Sequence, residues 1–236
     1  MTRMIATLLI LTLTLSFSGC GLGGFRRLVD KNRNVKEDPI LPNSKPVSTD
    51  ADPRIAIIEA YNRLCEARSY RLKSVGSGSI GESTVTKVEY AAPNRVRSIH
   101  YAGTEIETEF IMIGSRYFER SKGKWSEVPN RFGEVDLVTK CELENGRPAV
   151  PGYVETELKL IGPETVNGVK VLTYRSRTDY QSIDGPDSLV AITSIGVSDG
   201  RLYRVDVKWT TNPSLRHDTL TEYSDYDTDI SIEAPI

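Results

Sequence analysis

The sequence predicts an α+β protein that is mainly antiparallel β, with one helix at the start of its folded part. Three observations predict it. Between residues 82 and 128, short alternating runs are broken by turn chemistry at Ala92-Pro93-Asn94, Gly103-Thr104, Gly114-Ser115 and Ser121-Lys122-Gly123-Lys124, the signature of a β-meander. Two later pairs of runs flank Asn167-Gly168 and Asp199-Gly200, dipeptides whose readiness to adopt positive φ makes them strong hairpin signals. Before both, residues 53–68 repeat their apolar side chains with the 3.6 period of a helix.

With 236 residues, 39% hydrophobic and 26% charged, the chain is long enough for one sizeable core and ordinary for a globular domain. Its formal charge of -2 offers no electrostatic reason to expect nucleic acid, and losing Arg3, the one charge before Cys20, makes it no more basic.

Taken in order, the first twenty residues do not read as fold. One arginine precedes an apolar core at 5–15 that is short for a membrane-spanning helix, and Ser16-Phe17-Ser18-Gly19 places small residues before Cys20. This resembles a bacterial lipoprotein signal, with Phe17 standing where an aliphatic residue is usual. The resemblance implies a signal peptide over 1–19 and a Cys20 that carries acyl chains such as palmitate. Gly21 after that cysteine implies, in a host with two membranes, export to the outer membrane.

Residues 20–52 are Gly-rich, then polar, then punctuated by Pro39, Pro42 and Pro46, and they read as a flexible tether. The folded domain is read as 53–236. Asp52-Pro53 supplies an N-cap followed by proline at the first helical position. The helix places Ile57, Ile58, Tyr61, Leu64 and Cys65 on one stripe.

Period-two runs follow at 70–75, 84–90, 95–101, 105–113, 116–120 and 125–128, with a bend or bulge expected at Gly76-Ser77-Gly78. In Phe110-Ile111-Met112-Ile113 both faces of the strand are apolar, so each face needs a cover. The signal weakens over 129–153, read as a short helix and loop across an opening or edge. Strands resume at 156–164, 169–177, 192–197, 201–209 and 219–223, with 229–234 read as a last one.

The order of these elements, with Pro93-Asn94-Arg95-Val96-Arg97, Gly114-Ser115-Arg116-Tyr117, Gly123-Lys124-Trp125, Val166-Asn167-Gly168-Val169 and Tyr223-Ser224-Asp225-Tyr226, resembles the LolA/LolB-like superfamily of lipoprotein carriers. The resemblance spans about 53–235. It implies an unclosed half-barrel of about eleven strands, one N-terminal helix, and short helices covering a concave face that holds acyl chains. Phe110 and Met112 would then face the cavity while Ile111 and Ile113 pack elsewhere. Apolar alternation alone fits a filled core equally well.

For a cavity, the ligand-contact candidates are Ile57 and Tyr61 on the helix, with Phe110, Met112, Tyr117 and Trp125 in the meander. Tyr203, Val205, Val207 and Trp209 add one face of a later strand.

Catalytic patterns are lacking: His100 and His217 have no acidic or nucleophilic partner in a motif and read as surface or sheet-edge residues. No cofactor is implied. Asp225-x-Asp227-x-Asp229 begins like a calcium loop, but Ile230 stands where Gly is needed, so it reads as a solvated strand edge and not as a metal site. Cys65 and Cys141 are candidates for a disulfide in an oxidising compartment, with a buried free thiol at Cys65 as the alternative.

The reading is therefore a non-enzymatic, membrane-anchored monomer of the cell envelope. Its partners would be a lipid or acylated lipoprotein, the membrane through its N-terminal lipid, and envelope transport proteins. The alternative is an interaction or sensor module with a filled core.

Overall fold

A computed structural model describes residues 46–47, 49, 51–77, 83–129, 153–182, 185–209 and 218–235. In them a single helix, α1 (Pro53–Glu66), precedes eleven strands. The first six are β1 (Ser69–Ser77), β2 (Ser83–Ala91), β3 (Arg95–Ala102), β4 (Glu105–Ile113), β5 (Arg116–Ser121) and β6 (Lys124–Val128). The other five are β7 (Tyr153–Val166), β8 (Val169–Ser182), β9 (Gly185–Gly196), β10 (Leu202–Trp209) and β11 (Asp218–Ser224).

All eleven form one antiparallel sheet in the order β6-β5-β4-β3-β2-β1-β11-β10-β9-β8-β7. Two meanders are thus joined where the last strand returns beside the first, and β6 and β7 stay unpaired with each other. The sheet is an unclosed half-barrel. The residues linking those two outer strands, read from sequence as a short helix, lie outside the described residues.

Sequence dictates both ends of α1. The Asp52 side chain accepts the Arg54 amide at 2.9 Å, Pro53 opens the helix, and Ala67 leaves it in extended conformation. The face that docks on the sheet centres on Ala56 and Ala60, both buried, with the larger Ile57, Ile58, Tyr61 and Leu64 half-buried beside them. Small side chains let the helix axis approach β7, β9 and β10 closely. Arg54 pairs with Glu155 on β7, and Arg63 donates to the Asp199 carbonyl, so both ends of the helix are tied down. Val47, inside the stretch read as tether, donates to the Val197 carbonyl at 3.1 Å and packs on the same cluster.

The Asn167-Gly168 turn takes φ of 49° and 82°, the left-handed pair a two-residue hairpin requires. Three local expectations need correction. Gly76 and Ser77 continue the β1–β2 ladder with no shift of register, and Gly78 lies outside the described residues. β9 starts at Gly185, not at 192, because Gly185-Pro186 pairs with the end of β8 although its composition reads as turn.

Residues 229–234 are not a strand. Asp225 and Asp227, at φ of 53° and 56°, turn the chain off the sheet, and the Asp227 amide donates to the Ser69 carbonyl. The tail then lays Ile230 and Ile232 on Ala91, Ile111 and Phe118. Alternation every second residue looks the same whether a segment pairs in a ladder or packs as an extended strap.

Those contacts divide the sheet into two faces. On the face under α1, Phe110 and Met112 cluster with Tyr90, Val96 and Tyr117. On the outer face, Ile111 and Phe118 are covered by the tail, and around them lies a network of ion pairs: Arg71–Glu89, Arg97–Glu109, Arg120–Glu109 and Arg71–Asp225. Each apolar side of β4 therefore has its own cover.

Candidate functional site

The inner face carries three apolar patches. Toward β2–β5, Phe110 and Tyr117 have ring centroids 5.5 Å apart, and the His100 ring stacks on Phe110 at 5.9 Å. Under α1, Leu172, Tyr174 and Ile195 meet Ala56 and Ala60, with Ile57 at the margin. On β9 and β10, Val207 packs with Leu189 and Ala191, flanked by Val205 and Trp209. Clean alternation along β10 places these residues together.

A group of tyrosines extends the first of these patches toward β11 and β10. Tyr70 lies 5.0 Å from Tyr90, 6.3 Å from Tyr223 and 6.2 Å from Tyr226, and Tyr226 meets Tyr203 edge-on at 6.0 Å. Burial pushes the Tyr61 phenol up to about 12; burial, then the hydrogen bond that Tyr203 donates to Asp199 at 2.8 Å, pushes Tyr203 to about 12. Tyr70, Tyr223 and Tyr226 are raised by burial too. All stay neutral at physiological pH. Sequence reasoning missed Tyr70, Tyr90, Tyr223 and Tyr226; the available signal was eleven tyrosines against five phenylalanines and two tryptophans.

Most sequence candidates thus share the inner face, in separate patches. Trp125 does not. It packs beside Phe118 and Ile111 on the outer face, because Trp125 opposes Arg120 and Arg120 opposes Glu109, the outward set of β4. His100 is not at an edge either: β3 is interior to the sheet. Its Nδ1 lies 2.9 Å from Thr86 Oγ1 and its Nε2 3.2 Å from Ser98 Oγ, and burial lowers its pKa, so the ring is neutral at pH 7.

Nor are the aspartates a repelling edge. Asp225 pairs with Arg71, while Asp227 pairs with Arg201 and accepts the Arg68 amide at 2.8 Å. Cys65 is in a disulfide bond. Its candidate partner Cys141, like His217 and Cys20, lies outside the described residues. Among the described residues no group of three acidic, histidine or cysteine side chains could hold a metal, and no helix is long and apolar enough to cross a membrane.

The antiparallel half-barrel, with one helix across its inner face among the described residues, is a fold shared with a solved bacterial lipoprotein. LprF from Mycobacterium bovis matches with a TM-score of 0.51 and 10% identity, over 78% of this chain and 96% of that one. The Mycobacterium tuberculosis lipoprotein LppX matches with a TM-score of 0.52 and 13% identity, over 77% of this chain and 98% of that one. This is the fold that the resemblance to the LolA/LolB-like superfamily implied. No family model and no curated protein matches the chain.

Proposed function

We propose that this protein is a lipid-anchored, non-enzymatic lipoprotein of the bacterial cell envelope that binds an acyl chain, from a lipid or another lipoprotein, on its inner face. The observation that carries this reading is the contrast between the two faces. The outer face is laced with ion pairs, whereas the inner one presents apolar and aromatic patches beneath a helix. Burying an acyl chain there gains about 25 cal/mol per Å² of apolar surface.

The shared fold and the Cys20 lipobox support the reading. Acyl chains on Cys20, each buried methylene contributing about 0.8 kcal/mol, hold the domain at a membrane, the outer one in a host with two. A permanent anchor suits an acceptor or presenter better than a shuttle. A Cys65–Cys141 bridge would tie α1 to the stretch between β6 and β7.

Burial of Phe110, Met112 and Tyr117 by the chain's own atoms favours a second reading, a filled half-barrel that docks envelope proteins. Lipid extraction and native mass spectrometry of the full-length protein separate the two. Co-purifying lipid beyond the covalent anchor supports the carrier reading. Its consistent absence, with no uptake of a fluorescent acyl probe, supports the filled module.

A further inference from the structure

Register pairs a single line of residues across the inner face. Tyr174 opposes Thr193, Thr193 opposes Val205, and Val205 opposes Thr221. The line continues from Thr221 to Ser74, from Ser74 to Thr86, and from Thr86 to His100. Directly opposed residues project to the same face, so these seven form one row from β8 to β3 on the side of α1. Six of the seven carry a hydroxyl or an imidazole.

The row is largely withdrawn from water: Tyr174 is 1% exposed, Thr193 4%, Ser74 5% and Thr221 9%. Core positions in a sheet are normally filled by apolar side chains, because a buried hydroxyl without a partner is destabilising. Parts of the row satisfy each other: Thr221 donates to Ser74 at 3.1 Å, and Thr86 meets His100 at 2.9 Å. The Tyr174 hydroxyl does not. It is fully buried beneath Ala56 and Ala60 and has no hydrogen-bond partner among the described residues.

Among the described residues, the strand positions of this part of the face carry no charge, and Arg54 and Arg63 of the covering helix are engaged by Glu155 and by the Asp199 carbonyl. From β8 to β3 the row contains no Lys, Arg, Asp or Glu. The next row, through Ser176, Ala191, Val207, Thr219, Gly76 and Thr84, contains none either. An anionic head brought here would be buried without a counter-charge, at a cost far above that of an uncharged oxygen. Hydroxyl and ester oxygens need only what hydroxyl side chains provide.

Building on the carrier reading, we propose that this row is the polar seat of the bound amphiphile, with Tyr174 donating to it, and that it selects uncharged hydroxyl- or ester-bearing heads over phosphorylated ones. Apolar patches on either side take the chains. The row sets which head can follow them in.

The test uses the full-length protein in amphipol, incubated with equal amounts of a diacylglycerol and the phosphatidate bearing the same chains, and read by native mass spectrometry. Diacylglycerol occupancy is expected to exceed phosphatidate by at least about tenfold, given the cost of an unpaired buried charge. Tyr174→Phe is expected to lower diacylglycerol occupancy about fivefold, the loss of one hydrogen bond, while raising the melting temperature of the lipid-free protein by removing an unpartnered buried group. A merely structural tyrosine would not move the two readouts in opposite directions. Equal occupancy by the two lipids, or a Tyr174→Phe variant that binds diacylglycerol like the parent, overturns the proposal and leaves the carrier reading standing. Failure of both lipids to bind removes the carrier reading, and this proposal with it.

Discussion

Glu109 is the most deeply buried carboxylate of the described residues, 1% exposed on the outer face of β4. Burial by itself raises its pKa, but hydrogen bonds from Arg97 at 2.7 Å and Arg120 at 2.9 Å, with their charges, outweigh it and hold the group below the ordinary carboxylate range. A depressed folded pKa means the stabilisation is present above the unfolded pKa of about 4.3 and is lost as pH falls through the folded value. Glu109→Gln should therefore cost about 1–2 kcal/mol at pH 7, moderated because both arginines are partly exposed, and the difference from the parent should shrink below about pH 4. Urea titrations at pH 7 and pH 3.5 check it; a pH-independent difference contradicts it. Gly200 makes a second residue-scale prediction. At φ +65° an added methyl group is strained and collides with the Arg63 guanidinium. Gly200→Ala should cost about 1 kcal/mol, mainly backbone strain, because the guanidinium is the far end of a flexible side chain and can move aside, and the cost should be similar in an Arg63→Ala background. A cost several-fold larger in the parent than in the Arg63→Ala background would contradict this and show that the guanidinium cannot yield.

Among elements, the C-terminal tail has most to explain, because it is a strap and not a strand. Ile232 is 2% exposed against the cluster of Phe118 and Ile111, and Arg95 donates to its carbonyl at 2.7 Å. Ile232→Ala should lower unfolding free energy by about 2–4 kcal/mol, as a large-to-small change in a core does. The exposed Ser231→Ala should stay within about 0.5 kcal/mol. Equal effects of the two would mean that the tail does not pack. The same tail shows where sequence reading runs out. Turn chemistry made the meander legible, since Asn167-Gly168 can do little else between two alternating runs. Ile230-x-Ile232 has the same period in a ladder or in a strap, so only the left-handed Asp225 and Asp227 mark the difference. On α1 the periodic large residues pointed near the buried stripe, but Ala56 and Ala60, which set the contact, are too small to weigh in a hydrophobic pattern.

For the whole molecule, the curved sheet separates two chemistries that alternate residue by residue along each strand. Arg71, Glu89, Arg97 and Glu109 fall outside, while Tyr70, Ser74, Thr86 and Phe110 fall inside. That alternation was readable strand by strand. How the residues line up across eleven strands was not, because register depends on pairings distant in sequence, such as Ser74 with Thr221. The hydroxyl row went unseen for this reason; Trp125 was misplaced over a shorter range, across the two hairpins in which Arg120 opposes both Trp125 and Glu109. The measurement that bears most directly on acyl binding is photocrosslinking of the full-length protein with a diazirine-bearing acyl chain, followed by peptide mapping. Labels should fall on inner-face residues such as Phe110, Tyr174 and Val207. Labels confined to the outer face around Phe118 and Ile232, or no specific labelling at all, would contradict the account.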